Sequence, residues 1–158
     1  MLDVHICEVG PRDGLQNAKH LMPTEAKKAW IGALAAAGVR EIEVGSFVPP
    51  RLIPAMADTR EVVAFSIKIP GLKVVALAPN LKGFQRAIEA GAHKVTFPVS
   101  ASRAHSESNV RMTPEQMVAC VDFRYLTDAL TPEGLRKLIE AETVIWRPVI
   151  EKAGLIEK

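Results

Sequence analysis

Ten consecutive residues near the amino terminus, positions 8–17, combine side chains that can act as acid, base, cation and hydrogen-bond donor. They read Glu-Val-Gly-Pro-Arg-Asp-Gly-Leu-Gln-Asn. An alternating run at positions 4–7 precedes them and predicts a short strand with Val4 and Ile6 on one face. The glycines and the proline then indicate a loop. Active sites of α/β proteins form at the carboxyl ends of parallel strands, so this loop is a candidate active site; a solvated surface turn is the alternative.

Strands and helices that would position this loop alternate along the chain that follows. Apolar runs predict strands at residues 39–45, 73–78 and 94–99. Helical periodicity predicts helices at residues 23–38, 56–67 and 80–90, and a fourth helix that begins with Thr113 as its cap and Pro114 at its first position. Thr24 is the expected cap of the first helix, and residues 100–111 are expected to form a polar loop.

The alternation predicts an α/β fold with a parallel sheet, because right-handed crossovers connect consecutive parallel strands. Eight βα units form a TIM barrel of about 250 residues. The four units predicted here would therefore make a partial barrel, about half of one.

The segment at residues 8–17 resembles the signature of 3-hydroxy-3-methylglutaryl-CoA lyases, a family of metal-dependent lyase TIM barrels. The likeness continues through residues 42–49, 54–58 and 78–84 and covers about residues 3–122. The resemblance implies that residues 1–122 form the amino-terminal half of a lyase-type TIM barrel. It also implies an acyl-CoA substrate and a retro-Claisen cleavage of a 3-hydroxyacyl-CoA to acetyl-CoA and a keto product.

The resemblance assigns a role to each of five residues. Arg12 would meet the thioester enolate oxygen, Glu43 would orient Arg12, and Asp13 would bind Mg²⁺ or Mn²⁺. Gln16 and Ser46 would contact the substrate. The residues themselves leave simpler alternatives open: Asp13 can cap a turn, and Arg12 and Glu43 can form a structural ion pair.

The remaining polar residues favour structural interpretations. Asn80 is more consistent with a helix cap than with a ligand, and Arg51, Lys82 and Arg103 are more consistent with surface charges than with CoA phosphate contacts. The strand starts that carry His5 and His93 lie away from the chemistry of a barrel, and His20 and His105 lie on predicted loops. Cys7 and Cys120 are interpreted as small core residues.

The 158 residues contain no His-x-His pair, from which the family takes two further metal ligands. The family's acid cysteine, on a later glycine-rich loop, has no counterpart either. We therefore expect a truncated chain that neither holds the metal ion nor turns over substrate alone. The alternative is a non-catalytic half-barrel relic or scaffold, and self-association through open barrel edges is a further expectation.

Residues 123–158 depart from the barrel pattern. An amphipathic helix is predicted at residues 135–153, and its sequence resembles the carboxyl-terminal helix of tripartite tricarboxylate-type solute receptors. We therefore predict two parts, residues 1–122 and an unrelated helical tail. A solute-binding function would rest on this tail alone.

Composition excludes several partner classes. The net charge is +2 and the 20 basic residues are scattered, which argues against nucleic-acid binding. No long apolar run predicts a membrane span, and two cysteines indicate no disulfide framework. These features predict a cytoplasmic location.

Overall fold

Strands and helices alternate along residues 5–100 and 102–119, the part of the chain that the computed structural model describes. The strands are β1 (Cys7–Glu8), β2 (Glu41–Ser46), β3 (Lys73–Leu77) and β4 (Lys94–Thr96). The helices are α1 (Thr24–Ala36), α2 (Thr59–Ser66), α3 (Leu81–Glu89), α4 (Arg103–Val110) and α5 (Pro114–Ala119). A π-helical segment (Gly10–Gly14) follows β1, and a 3₁₀ turn (Pro54–Met56) precedes α2.

The four strands form one parallel sheet in the order β1-β2-β3-β4. Each strand pairs with the next along the chain, as in a TIM barrel, whereas a doubly wound sheet reverses its order at a switch point. The predicted α/β fold with four consecutive βα units is therefore confirmed. The predicted tail helix and the predicted domain boundary at residue 122 lie outside the described residues.

One face of the sheet packs against the helices. On this face β2 presents Ile42 and Val44, and β3 presents Val74 and Ala76. Each of these side chains is at most 2% exposed. They pack against apolar side chains of the first three helices: Ile31 and Ala35 of α1, Val62 and Val63 of α2, and Ala87 of α3. Fully burying a side chain of this size contributes about 1.5–3 kcal/mol, so this layer is the main source of stability for the described residues.

The opposite face carries charged groups near the amino ends of the strands. Glu41 of β2 accepts hydrogen bonds from Lys94 Nζ at 2.8 and 2.9 Å, and its Oε2 atom lies 2.9 Å from His5 Nε2. Burial alone would raise the pKa of Glu41, but the hydrogen bonds from Lys94 and His5 outweigh it and hold the pKa below its usual value. Lys94 belongs to β4, so this ion pair reaches across β3.

The helix caps follow the predictions at two of three positions. Asn80 Oδ1 accepts a hydrogen bond from the Gly83 N–H at 2.9 Å, and Thr113 Oγ1 accepts one from the Gln116 N–H at 3.2 Å. The prediction for Thr24 is wrong, because Thr24 is the first helical residue and its hydroxyl donates to Asp58 Oδ2 at 2.8 Å. A tertiary partner thus competes for the hydroxyl that would otherwise cap α1.

The predicted polar loop at residues 100–111 is also wrong, because α4 occupies Arg103–Val110. Ser102 caps this helix through a hydrogen bond from the His105 N–H at 3.3 Å, and Arg111 ends it with φ = 57°. Only Ser106 is buried within α4. A helix with so little apolar surface gives no hydrophobic periodicity, so sequence patterning misses it.

The first strand is shorter and more open than predicted. The described part of β1 contains only Cys7 and Glu8, and Ile6 is 71% exposed. Cys7 is exposed as well, so its interpretation as a core residue is wrong. Within the described residues β1 pairs only with β2, which leaves its side chains open on one edge. Cys120 lies outside the described residues.

Candidate active site

A π-helical segment positions the candidate loop at the carboxyl end of β1. The Val9 carbonyl accepts hydrogen bonds from the N–H groups of Arg12 at 3.0 Å and Asp13 at 2.7 Å. The Glu8 carboxylate accepts one from the Gly10 N–H at 2.6 Å. An added Cβ at Gly10 would come within 3.1 Å of the Trp30 ring, so the loop packs closely on α1. These contacts fix the main chain that carries Arg12 and Asp13.

The guanidinium of Arg12 lies between two carboxylates. Its Nε donates to Glu43 Oε2 and its Nη1 donates to Asp13 Oδ1, both at 2.6 Å. The side chain of Glu43 is 3% exposed, that of Arg12 is 15% exposed and that of Asp13 is 55% exposed. The predicted proximity of these three residues is therefore observed. A buried carboxylate orients the cation and a solvent-facing carboxylate lies beside it, while their catalytic roles stay predictions.

A β-bulge in β2 turns Glu43 and Ser46 toward the same face. Glu43 pairs with Val75 and Ser46 pairs with Leu77, so Val44 and Gly45 together oppose Ala76. Val75 and Leu77 are two residues apart and share a face, and their partners share it with them. That face is opposite the helix-packed core, and it is the face on which Arg12 contacts Glu43.

Among the described residues, two oxygen atoms on this face are buried without a hydrogen-bond partner: Glu43 Oε1 and Ser46 Oγ. Buried oxygens normally have a partner, so these two atoms are candidates for contact with a bound molecule or water. Gln16 is half-buried just beyond the π-helical segment. The structure thus brings Arg12, Asp13 and Glu43 into contact and gives Ser46 the same face as Glu43, whereas no hydrogen bond joins Gln16 to them in the described residues.

Most of the other polar residues lie where their structural interpretations place them, but His105, predicted on a loop, belongs to α4. Arg103 Nη2 pairs with Glu115 at 2.9 Å, and both side chains are more than half exposed. Arg51, Lys82 and His20 are exposed. His93 Nδ1 accepts a hydrogen bond from the Val74 N–H at 3.0 Å, near the amino ends of the strands. His105 Nδ1 lies 3.0 Å from Ser100 Oγ in a cleft of about 270 Å³ beyond β4.

Two residues near the site were not singled out from the sequence. Lys27 is 4% exposed and its Nζ donates to the Ala55 carbonyl and to Asp58 Oδ1, both at 2.6 Å. Thr59 is 3% exposed and contacts the main chain of Ser46. For Lys27 a signal existed, because it is spaced four and eight residues from Ile31 and Ala35 on the buried stripe of α1. For Thr59 no such signal existed.

The carboxylate of Asp13 is suited to be one ligand of a hard divalent cation, because it is exposed and supplies oxygen. Its Oδ1 is bound to Arg12. Within residues 5–100 and 102–119, no group of three His, Cys, Asp or Glu side chains could hold a metal ion. These residues therefore fit one ligand of Mg²⁺ or Mn²⁺ and do not complete a site.

A parallel βα sheet with an Arg-Asp pair after its first strand and a buried glutamate in its second is the arrangement that the resemblance to lyase-type TIM barrels implied. The HMGL-like family model matches residues 3–128, and the chain belongs to this family. A solved HMG-CoA lyase from Acinetobacter baumannii, in complex with coenzyme A and 3-methylmalate, superposes with a TM-score of 0.68 at 42% identity. The match covers 72% of this chain and 37% of that chain, which confirms the partial TIM barrel.

Two relatives of this chain carry names of lyases from the same family. The chain is 44% identical over 113 residues to a mitochondrial hydroxymethylglutaryl-CoA lyase of Arabidopsis thaliana, covering 72% of this chain and 24% of the relative. It is 48% identical over 107 residues to the 3-hydroxy-3-isohexenylglutaryl-CoA/hydroxy-methylglutaryl-CoA lyase of Pseudomonas aeruginosa, covering 68% of this chain and 36% of the relative. The chain thus spans about a quarter to two fifths of the relatives that it matches.

The cellular compartment stays a prediction, because similar lyases carry both mitochondrial and cytoplasmic names. Among the helices in the described part of the chain, none has the length and apolar character needed to cross a membrane.

Proposed function

We propose that this chain supplies the amino-terminal part of a lyase active site that cleaves a 3-hydroxyacyl-CoA by a retro-Claisen reaction. The observation that carries the proposal is the placement of Arg12 between the buried Glu43 and the exposed Asp13. The A. baumannii relative was solved with coenzyme A, which favours an acyl-CoA as the substrate class.

Arg12 has the chemistry that the reaction needs most. A base removes the hydroxyl proton of the substrate, the carbon–carbon bond breaks, and its electron pair moves into the acetyl-CoA enolate. Negative charge then develops on the thioester oxygen, where a fixed cation stabilises the transition state. Glu43 and Asp13 use two of the five guanidinium N–H donors, and we propose that one or two of the donors left on Nη1 and Nη2 bind this oxygen.

Ser46 and Gln16 are proposed as substrate contacts. The residues that the structure describes give no hydrogen-bond partner to buried Ser46 Oγ and Glu43 Oε1, on the face that carries Arg12, so a bound substrate or water would satisfy them. Gln16 follows the same loop and offers an amide donor and acceptor.

Asp13 is proposed as one ligand of Mg²⁺ or Mn²⁺, which would supply a Lewis acid when bound. Because the described residues do not complete a metal site, the other ligands are expected from a further polypeptide segment. Because the sequence also lacks the His-x-His pair that the family resemblance requires, we propose that the 158-residue chain has no turnover alone.

A chimera tests the lyase proposal. Residues 1–119 of this chain would replace the corresponding part of the P. aeruginosa lyase, and acetyl-CoA release from 3-hydroxy-3-methylglutaryl-CoA would be measured with Mn²⁺. We expect turnover, and we expect Arg12→Lys in the same chimera to reduce it by at least about a hundredfold, because lysine lacks the planar fork. A folded chimera that binds Mn²⁺ but releases no acetyl-CoA would reject the proposal.

A second candidate is a non-catalytic half barrel that self-associates. The described sheet ends at β1 and β4, each with one neighbouring strand, and open parallel edges favour pairing with another chain. Sedimentation with and without Mn²⁺ separates the candidates, since a relic would associate or aggregate without responding to the metal ion.

A further inference from the structure

A buried threonine ties the end of β2 to the start of α2. Thr59 Oγ1 accepts a hydrogen bond from the Ser46 N–H at 3.1 Å. Its hydroxyl hydrogen lies within reach of two carbonyl oxygens, that of Ser46 at 3.0 Å and that of Met56 at 2.8 Å. Because Thr59 is 3% exposed, water does not readily replace these contacts. One side chain therefore restrains the main chain on both sides of Ser46.

The residue before Ser46 is a glycine that lies directly against this threonine. An added Cβ at Gly45 would come within 2.7 Å of Thr59 Oγ1 and 2.8 Å of Thr59 Cγ2. These separations are shorter than ordinary contacts, so β2 approaches α2 this closely only without a side chain at that position. The contact lies on the helix side of the sheet, the side to which Ala76, the cross-strand partner of Gly45, belongs.

The close approach coincides with the β-bulge. Strict alternation along a strand would put positions 43 and 46 on opposite faces of the sheet. The extra residue in the bulge changes the phase, so Ser46 faces the same side as Glu43. On that side Glu43 holds Arg12 Nε at 2.6 Å. The geometry of the Arg12–Glu43 pair therefore depends on how the main chain of β2 is held after Glu43.

We propose that Thr59 is a positioning residue of the candidate active site. By holding the main chain of Ser46 against α2, Thr59 maintains the bulge, and the bulge sets the side chain of Glu43 that orients Arg12. Thr59 does not touch the reacting atoms. The value of this arrangement for catalysis rests on the proposed function, whereas the coupling from Thr59 to Arg12 can be measured without it.

The test follows the Arg12 Nε–Hε signal by ¹⁵N nuclear magnetic resonance in the full 158-residue chain, assigned with Arg12→Lys. In Thr59→Val, which removes the hydroxyl and keeps the shape, we expect exchange of this hydrogen with water to become about tenfold faster. That factor corresponds to the loss of one buried hydrogen bond. Thr59→Ser keeps the hydroxyl and should restore the wild-type rate.

Thr24→Val is the matched control. Thr24 also donates a half-buried hydroxyl to the segment between β2 and α2, through Asp58 Oδ2 at 2.8 Å, and it has no hydrogen bond to Ser46 among the described residues. In Thr24→Val we expect the Arg12 Nε–Hε hydrogen to exchange with water at the wild-type rate. If Thr59→Val does not fold, Thr59→Ala is the alternative, because it removes the same hydroxyl without placing a second methyl group beside the carbonyls. We expect the same increase in the exchange rate of the Arg12 Nε–Hε hydrogen.

An unchanged Arg12 signal in a folded variant without the Thr59 hydroxyl would overturn the proposal. An equal change in Thr24→Val would overturn it too, because the effect would then be a general loosening. Acetyl-CoA release by the chimera with the P. aeruginosa remainder examines the proposed function separately. If that chimera folds and binds Mn²⁺ but releases no acetyl-CoA, the lyase proposal fails while the Thr59 comparison remains valid.

Discussion

At the scale of single residues, the candidate site depends on one guanidinium shared by two unlike carboxylates. Glu43 is almost fully buried, so its charge is tolerated only while Arg12 compensates it. Asp13 is mostly exposed, so its ion pair with Arg12 contributes little to stability and leaves the carboxylate open to a further ligand. The same cation thus has a structural partner and a partner that faces solvent.

Removing this cation should destabilise the fold. Arg12→Ala leaves a buried unpaired carboxylate, and we expect a loss of about 3 kcal/mol in the free energy of unfolding at pH 7, measured with urea. The double variant Arg12→Ala/Glu43→Gln should recover about 1 kcal/mol or more of that loss, because a neutral amide costs less to bury. Equal stability of the single and double variants would show that the buried charge is not the cause.

At the scale of the elements, two ionic contacts, each with one buried partner, join segments that are distant in sequence. Lys27 of α1 holds Ala55 in the 3₁₀ turn and Asp58 immediately before α2. Glu41 of β2 joins Lys94 of β4 and His5. The first contact fixes the connection after β2, at the carboxyl ends of the strands, and the second lies near their amino ends.

The neighbouring lysines 27 and 28 make a matched comparison for the first contact. Lys27→Met leaves Asp58 and the Ala55 carbonyl without their shared donor, so we expect a loss of about 2 kcal/mol in the free energy of unfolding. Lys28 pairs with Glu25 and Glu61, whose side chains are 82% and 61% exposed. Lys28→Met should cost clearly less in the same urea titration, and an equal or larger cost would contradict the assigned role of Lys27.

The contact of Glu41 with Lys94 and His5 should make the free energy of unfolding depend on pH. The hydrogen bonds from Lys94 and His5 lower the pKa of Glu41 below its ordinary value of 4.5 despite burial. A lowered pKa stabilises the fold above pH 4.5, and this contribution is lost as the pH falls through the folded-state pKa. Urea unfolding of Lys94→Gln should therefore show a deficit of about 1 kcal/mol at pH 7 that shrinks below pH 4.5.

A deficit that stays constant from pH 7 to acid would assign the Lys94 effect to packing rather than to the charge of Glu41.

Cys7 lies beside this cluster. Partial burial, followed by the charges of Glu41 and Glu43, raises the pKa of its thiol, so the thiol stays protonated at neutral pH. We expect slow alkylation of Cys7 at pH 7 even though the side chain is exposed.

At the scale of the whole molecule, the described sheet is a segment of a barrel. The chain matches 36% of the P. aeruginosa relative and 37% of the solved A. baumannii lyase. Active sites of TIM barrels draw residues from the ends of several strands around the ring. Four strands can therefore bring Arg12, Asp13 and Glu43 into contact while supplying only some of the strand ends that a full barrel contributes.

We expect the purified 158-residue chain to release no acetyl-CoA from 3-hydroxy-3-methylglutaryl-CoA with Mn²⁺, because one carboxylate does not hold the cation in catalytic geometry. The chimera with the P. aeruginosa remainder is the positive control. Turnover by the 158-residue chain above that of Asp13→Asn would contradict this expectation and would mean that the other ligands are present in the chain or its oligomer.

Sequence patterning was sufficient for the order of elements through β4 and for the proximity of Arg12, Asp13 and Glu43. Both follow from local periodicity and from the rule that carboxyl ends of parallel strands meet at one edge. It missed α4, because that helix buries too little apolar surface to produce a period. It also predicted a cap at Thr24 and a core position for Cys7, and both predictions are wrong. The hydroxyl of Thr24 binds a partner 34 residues away, and Cys7 lies on an open strand edge; neither is a local property of the sequence.

Only the tertiary structure showed that Ser46 shares the face of Glu43. Strand alternation assigns positions 43 and 46 to opposite faces, and a bulge reverses that assignment through a single unpaired residue. The bulge coincides with the close approach of Gly45 to Thr59, fourteen positions further along the chain. The sequence by itself determined which chemical groups are available, and packing between β2 and α2 decided which of them face one another.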